Sequence, residues 1–324
     1  MITVDTEGDN SWSRPKAITT RNAEFLQPFQ ILCESYGFKP TYLANYEMAR
    51  CQAFREFGRD VLKREAGEIG MHLHAWYSPP QFALTDDDLQ FHPYLTEYPR
   101  HVMEEKISFM TDLLEDTFGE KMISHRAGRW GFNETYAQIL VEKGYRVDCS
   151  VTPYISWRHH RGDPRREGGA DYSRFPDQVY FVDLEDISRS GDSPLLEVPV
   201  TILPAAWPSL ELLRRRLKDS LLGSRVVEWV FPTSPPTWFR AKKGDLNDLL
   251  RVVKQAISEK RGYIEFMLHS SELMPGGSPR FPTEKDVENL YHDLKTLFEG
   301  ISQRFVGATL KEYYQSFRRH TGNE

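Results

Sequence analysis

Residues 67–76 read GEIGMHLHAW, and the two histidines in that run, His72 and His74, decide how the chain is read. The residues before them form a short apolar run of strand type, so the pair lies at or just past a strand end. Residues two apart on a strand point the same way. Two imidazoles held side by side there can grip one metal ion. A second run has the same form. Residues 2–9, ITVDTEGD, begin as a strand and end in acid, with Asp5 and Glu7 again two apart. Two carboxylates and two histidines suffice for a metal site with an adjacent base.

Outward from these runs, strand-like and helix-like segments alternate. ITVD at 2–5 is followed by a helical pattern over 23–37, and KPTYLA at 39–44 by one over 53–67. After EIGMHLH come a helix over 102–119, a strand at KMISHRAG (121–128), a helix over 134–144 and a strand at YRVDCSVTP (145–153). Later, 245–262 is helical, YIEFMLH (263–269) is a strand, 284–301 is helical, and RFVGATL (304–310) is predicted as a last strand. Such alternation implies parallel strands with crossover helices. About seven or eight units predict an α/β fold closed into a distorted (β/α)7–8 barrel, with the polar clusters at the carboxyl ends of the strands. The rhythm breaks near 75–97, 153–178 and 203–243, the last holding a basic helical stretch, LELLRRRLKDSLLG, and the Pro-rich FPTSPPTWF. One barrel domain over 1–324 with three insertions on its active face is the simplest organisation.

Composition narrows the function. Net charge is −6 over 324 residues, which argues against nucleic acid as a partner. No apolar run reaches the ~18 residues that span a membrane. Cys33, Cys51 and Cys149 are too few and too scattered for a disulfide framework. The first strand starts at residue 2, leaving no room for a signal peptide, so a cytoplasmic location is the expectation. Seven Trp and fifteen Tyr can fill a core or stack on sugars.

Further candidates stand at other strand ends. HRAGRWGFN supplies His125, Arg126, Arg129 and Trp130, and an arginine beside a catalytic carboxylate keeps it ionised. Asp9 ends the first acidic cluster. Asp148 could position Arg126 or a histidine, or cap a turn. His269 ends an apolar strand, where an imidazole can act as a general acid.

In order and spacing these motifs resemble the NodB-type polysaccharide deacetylases, carbohydrate esterase family 4 and its relatives, over most of residues 1–310. VDTEG resembles the family's acidic first motif, EIGMHLHAW its histidine motif, HRAGRWG its arginine motif and MLHSS its final Leu-His motif. The resemblance implies a distorted seven-stranded (β/α) barrel. It makes Asp5 the general base, Arg126 its positioning residue and His269 the general acid. Glu7 and His72 become metal ligands, with Trp76, Arg129, Trp130 and Leu268 around the substrate. The family spaces its two histidines by four, which falls on Trp76, so His74 takes the second place. The first motif carries Glu7 where most members have Asp. The HLHAW run followed by Pro79-Pro80 is similar to a subgroup found with bacterial polysaccharide biosynthesis. The implied activity is hydrolysis of an N-acetyl or O-acetyl group on a saccharide, with a divalent ion, zinc by preference, on Glu7, His72 and His74. The alternatives are a carbohydrate-binding relative without turnover and a metal-dependent amidohydrolase. The latter carries its H-x-H pair on the first strand.

Overall fold

The structure is a computed structural model that describes residues 1–322, apart from 12–14, 16, 164, 166–167 and 205–234. The expected basic helix at 210–223 lies outside the described residues. Five strands, β1 (Ile2–Thr6), β2 (Thr41–Ala44), β3 (Glu68–Leu73), β4 (Ser124–Ala127) and β5 (Val147–Asp148), pair in parallel and in chain order. The edge strand β6 (Tyr180–Phe181) runs antiparallel to β7 (Leu196–Glu197), which pairs in parallel with β5. On the other side of β1 lies β10 (Phe266–His269), again parallel.

Hydrogen bonds carry the ring across the remaining gap. The chain leaving β7 bonds back through Val200 N to the Val151 carbonyl, 3.0 Å. It then forms β8 (Ile202–Leu203), which pairs with β9 (Thr237–Trp238). Met267 N in turn donates to the Phe239 carbonyl, 3.2 Å, beside a bridge between Arg240 and Met267. This irregular seam is what distorts the barrel.

Among the described residues most of the longer helices are amphipathic, because they cover the outer face of the sheet. The described helices are α1 (Leu26–Ser35), α2 (Tyr46–Arg50), α3 (Gln52–Lys63), α4 (Asp88–Phe91), α5 (Arg100–Phe118), α6 (Glu134–Glu142), α7 (Leu246–Ser258), α8 (Glu284–Ser302) and α9 (Leu310–Thr321). In α5, for example, Val102, Met103, Ile107, Met110 and Leu114 recur at helical spacing and are all buried. Outward-facing Val4, Ile69, Met71 and Phe266 join them in the main core. Inside the barrel, Leu43, Val147, Cys149, Leu196 and Val198 form a second cluster. Among the described residues all three cysteines are free thiols. No described helix is long and apolar enough to cross a membrane.

The predicted last strand at 304–310 is not a strand. Val306 there is 93% exposed, and Thr309 begins α9 with a capping box to Glu312. Leu310 and Tyr314 of α9 close the inner apolar cluster, and buried Glu68 ties the helix on by accepting from Lys311 N at 3.0 Å. A run of apolar residues resembled a strand, but the cap chemistry at Thr309 and Glu312 won.

Candidate metal centre and catalytic cavity

Register sets the site. On β1 and β10, Asp5 lies level with His269; on β3 and β4, His72 lies level with Arg126. All four side chains are buried, and Asp5, His72 and His269 reach the floor of a cavity of about 400 Å³ at the carboxyl ends of the strands.

Glu7, His72 and His74 offer one ligand atom each within 4.8 Å of one another. Glu7 Oε1 lies 3.9 Å from His72 Nε2, and Glu7 Oε2 lies 3.2 Å from His74 Nε2. His72 Nδ1 faces the Arg126 carbonyl at 3.0 Å. A carbonyl only accepts, so Nδ1 carries the proton and Nε2 presents its lone pair to Glu7. Both shielded ring nitrogens of half-buried His74 lack a hydrogen-bond partner, although Glu7 is close. An imidazole left so would waste its desolvation; lone pairs aimed at a shared third point would not. Burial holds His72 below its usual pKa and, with Arg129 nearby, lowers His74 to about 4. Neutral imidazoles are the ligating form. The residues present therefore fit a divalent ion.

Gly128 makes room for this arrangement. A Cβ there would meet His74 Nδ1 at 2.5 Å and the Leu73 carbonyl oxygen at 2.7 Å. Gly128→Ala is expected to displace His74 and weaken metal binding roughly 10- to 100-fold, read by titration against a chelating dye. Unchanged affinity would remove His74 from the ligand set.

Asp5 belongs to a buried ionic network. Arg126 donates to Asp5 at 2.6 Å, to Glu265 at 2.5 Å, to Thr3 Oγ1 at 2.9 Å and to the Cys149 carbonyl at 3.0 Å. Burial alone would raise the Asp5 pKa; the guanidinium, helped by His72 and His269, holds it well below the usual carboxylate range. His269 Nε2 lies 3.3 Å from Glu7 Oε1 and 3.8 Å from Asp5 Oδ2. Its Nδ1 meets Arg240 at 3.0 Å, and Arg240 also donates to Glu272 at 2.8 Å. Because arginine only donates, His269 Nδ1 accepts and its proton sits on Nε2.

Aromatic rings wall the cavity. Trp76 lies 4.5 Å from the His74 ring, and Arg129 stands over both Trp76 and Tyr94. Trp130 stacks with Trp157 at 6.5 Å, and Trp238 meets both edge-on. Arg129 and Trp130 have φ of 54° and 60°, a left-handed pair that turns the loop after β4 towards the cavity.

Four sequence candidates lie elsewhere. Leu268 is fully buried in the outer core, because its neighbours Met267 and His269 take the inward positions on β10; it is not among the cavity residues. His125 points to the opposite face of β4 from Arg126, where it donates to Asp148 at 2.6 Å and meets the Tyr136 hydroxyl at 2.9 Å. Asp148 thus positions a histidine remote from the cavity. Asp9 accepts from Thr19 Oγ1 and Arg21 N and holds its loop. Conversely, sequence reading missed Glu265, Arg240, Glu272, Trp157 and Trp238. Only Glu265 carried a signal, as an acid inside the otherwise apolar run YIEFMLH, four residues before His269.

No family model and no curated protein matches this sequence. Solved structures do. A Mycobacterium smegmatis chain provisionally assigned to the polysaccharide deacetylases is similar over 99% of this chain and 91% of its own, at 13% identity and a TM-score of 0.55. The carbohydrate esterase family 4 domain of a xylanase from the hindgut metagenome of Trinervitermes trinervoides covers 97% of this chain and 88% of its own, at 10% identity and 0.43. A family 4 pseudoenzyme from Bacillus anthracis covers 97% and 64%, at 10% and 0.41. Together with the sheet order and the seam at β8–β9, the first of these shows that the chain has the NodB-type polysaccharide deacetylase fold, a distorted (β/α) barrel.

Proposed function

We propose that this chain is a metal-dependent deacetylase that hydrolyses an N-acetyl or O-acetyl group on a saccharide. One observation carries the reading: a carboxylate held ionised by a buried arginine, Asp5, stands beside a three-residue ligand set at the floor of a tryptophan-walled cavity. Glu7, His72 and His74 would hold the ion, and two imidazoles with one carboxylate suit zinc. When bound, the ion supplies Lewis acidity, polarising the acetyl carbonyl and making a nearby water more acidic.

The chain's own groups do the rest. Asp5 accepts the proton of the attacking water, and Arg126 keeps Asp5 oriented and charged between turnovers. His269 presents its Nε2 proton towards the same point. Trp76, Trp130 and Arg129 shape the wall against which the sugar packs. Acetate release from acetylated saccharides, measured with and without a chelator, tests the reading. Chelation is expected to abolish release and zinc to restore it, with His74→Ala lowering the metal content. Release that ignores chelation would defeat the reading.

A binding relative without turnover is the second reading, and Arg240 favours it. With Arg240 donating to Nδ1, His269 holds a single proton. It must lose that contact before it can take up a second proton and protonate a leaving amine. Saccharide binding with no acetate release from any substrate would select this reading.

A further inference from the structure

We infer that the saccharide taken by this cavity is anionic and that Arg129 receives its negative group. The inference rests on the saccharide reading above and names the substrate class. Three arginines, Arg129, Arg240 and Arg280, line the cavity. They share one carboxylate between them: Glu272 accepts from Arg240 at 2.8 Å and from Arg280 at 3.2 Å. Arg129 ion-pairs with no carboxylate among the described residues. Its guanidinium lies 5.4 Å from the Tyr94 ring centroid and 5.9 Å from that of Trp76.

The wall therefore carries two positive charges beyond its acids, in a protein whose net charge is −6. The acids of the floor, Asp5, Glu265 and Glu7, outnumber its one cation, Arg126, by two. Asp5 and Glu265 are engaged by Arg126, and Glu7 faces His72, His74 and His269. A divalent ion on Glu7 would cancel that excess and leave the positive charge of the wall unbalanced. One N–H of Arg129 is shared with the Tyr94 hydroxyl, and a guanidinium held over aromatic faces in this way keeps its other in-plane N–H groups for a planar or tetrahedral anion. A carboxylate on a uronic acid ring and a phosphate on a sugar share that chemistry. With that ion bound, a positive cavity in a chain of net charge −6 would also draw such a substrate in.

The test compares three N-acetylated sugars: a neutral hexosamine, the same hexosamine oxidised to a uronic acid, and its 6-phosphate. Binding is measured by calorimetry and, separately, acetate release by initial rates. At least one anionic sugar is expected to bind roughly tenfold to hundredfold more tightly than the neutral one, and which one does identifies the anion. Added salt should shrink the preference. Arg129→Gln should bring the ratio near one, while Arg129→Lys should keep part of it. Equal or weaker binding of both anionic sugars, including no binding of any of the three, overturns the inference. An anionic preference in binding without acetate release would sink the deacetylase reading and leave this one standing.

Discussion

Asp5→Asn is expected to lower acetate release by roughly 10²- to 10⁴-fold, the usual contribution of a positioned general base. The substitution keeps the shape of the side chain. Its amide oxygen can still accept from Arg126, now 2.6 Å from the carboxylate, and Glu265 remains to balance the guanidinium at 2.5 Å. The fold and the metal stoichiometry should therefore survive, and circular dichroism and metal analysis are the controls. Full activity in Asp5→Asn on every substrate cleaved by the parent protein would assign the base elsewhere.

Arg126→Ala should cost stability more than any other single change at the site. Arg126 is wholly buried and is engaged by two carboxylates, a threonine hydroxyl and a backbone carbonyl. Removing it strands Asp5 and Glu265 inside the barrel. Breaking a buried ion pair in this way costs about 3–5 kcal/mol, readable from the midpoint of urea unfolding at constant slope. Combining Arg126→Met with Asp5→Asn and Glu265→Gln should recover most of that loss, since no buried charge remains. If the triple variant is no more stable than Arg126→Ala, packing rather than charge explains the effect. The pH dependence has a defined sign. Asp5 has a folded-state pKa below its unfolded value, so its contribution is present above the ordinary carboxylate pKa of about 3.9. It is lost as pH falls through the lower folded value.

Much of the barrel was legible because its strands are short apolar runs ending in polar residues, and its helices repeat at helical spacing. The same alternation places Asp5, Glu7, His72 and Arg126 at strand ends. The stretch at 304–310 failed for a local reason. Its apolar residues match a strand, yet a capping box at Thr309 starts a helix there.

By itself the sequence determined the order of strands and which side chains stand at their carboxyl ends, since periodicity and chain order are local properties. Only the tertiary structure decided what those side chains meet. Residues 121 positions apart, Asp5 and Arg126, become partners because the closed ring brings β1 and β4 face to face. Register across β10 puts Arg240 on His269 and sends Leu268 to the core. The absence of a Cβ at Gly128 leaves space for the His74 ring beside Glu7. These are contacts across the barrel, and no run of neighbouring residues encodes them.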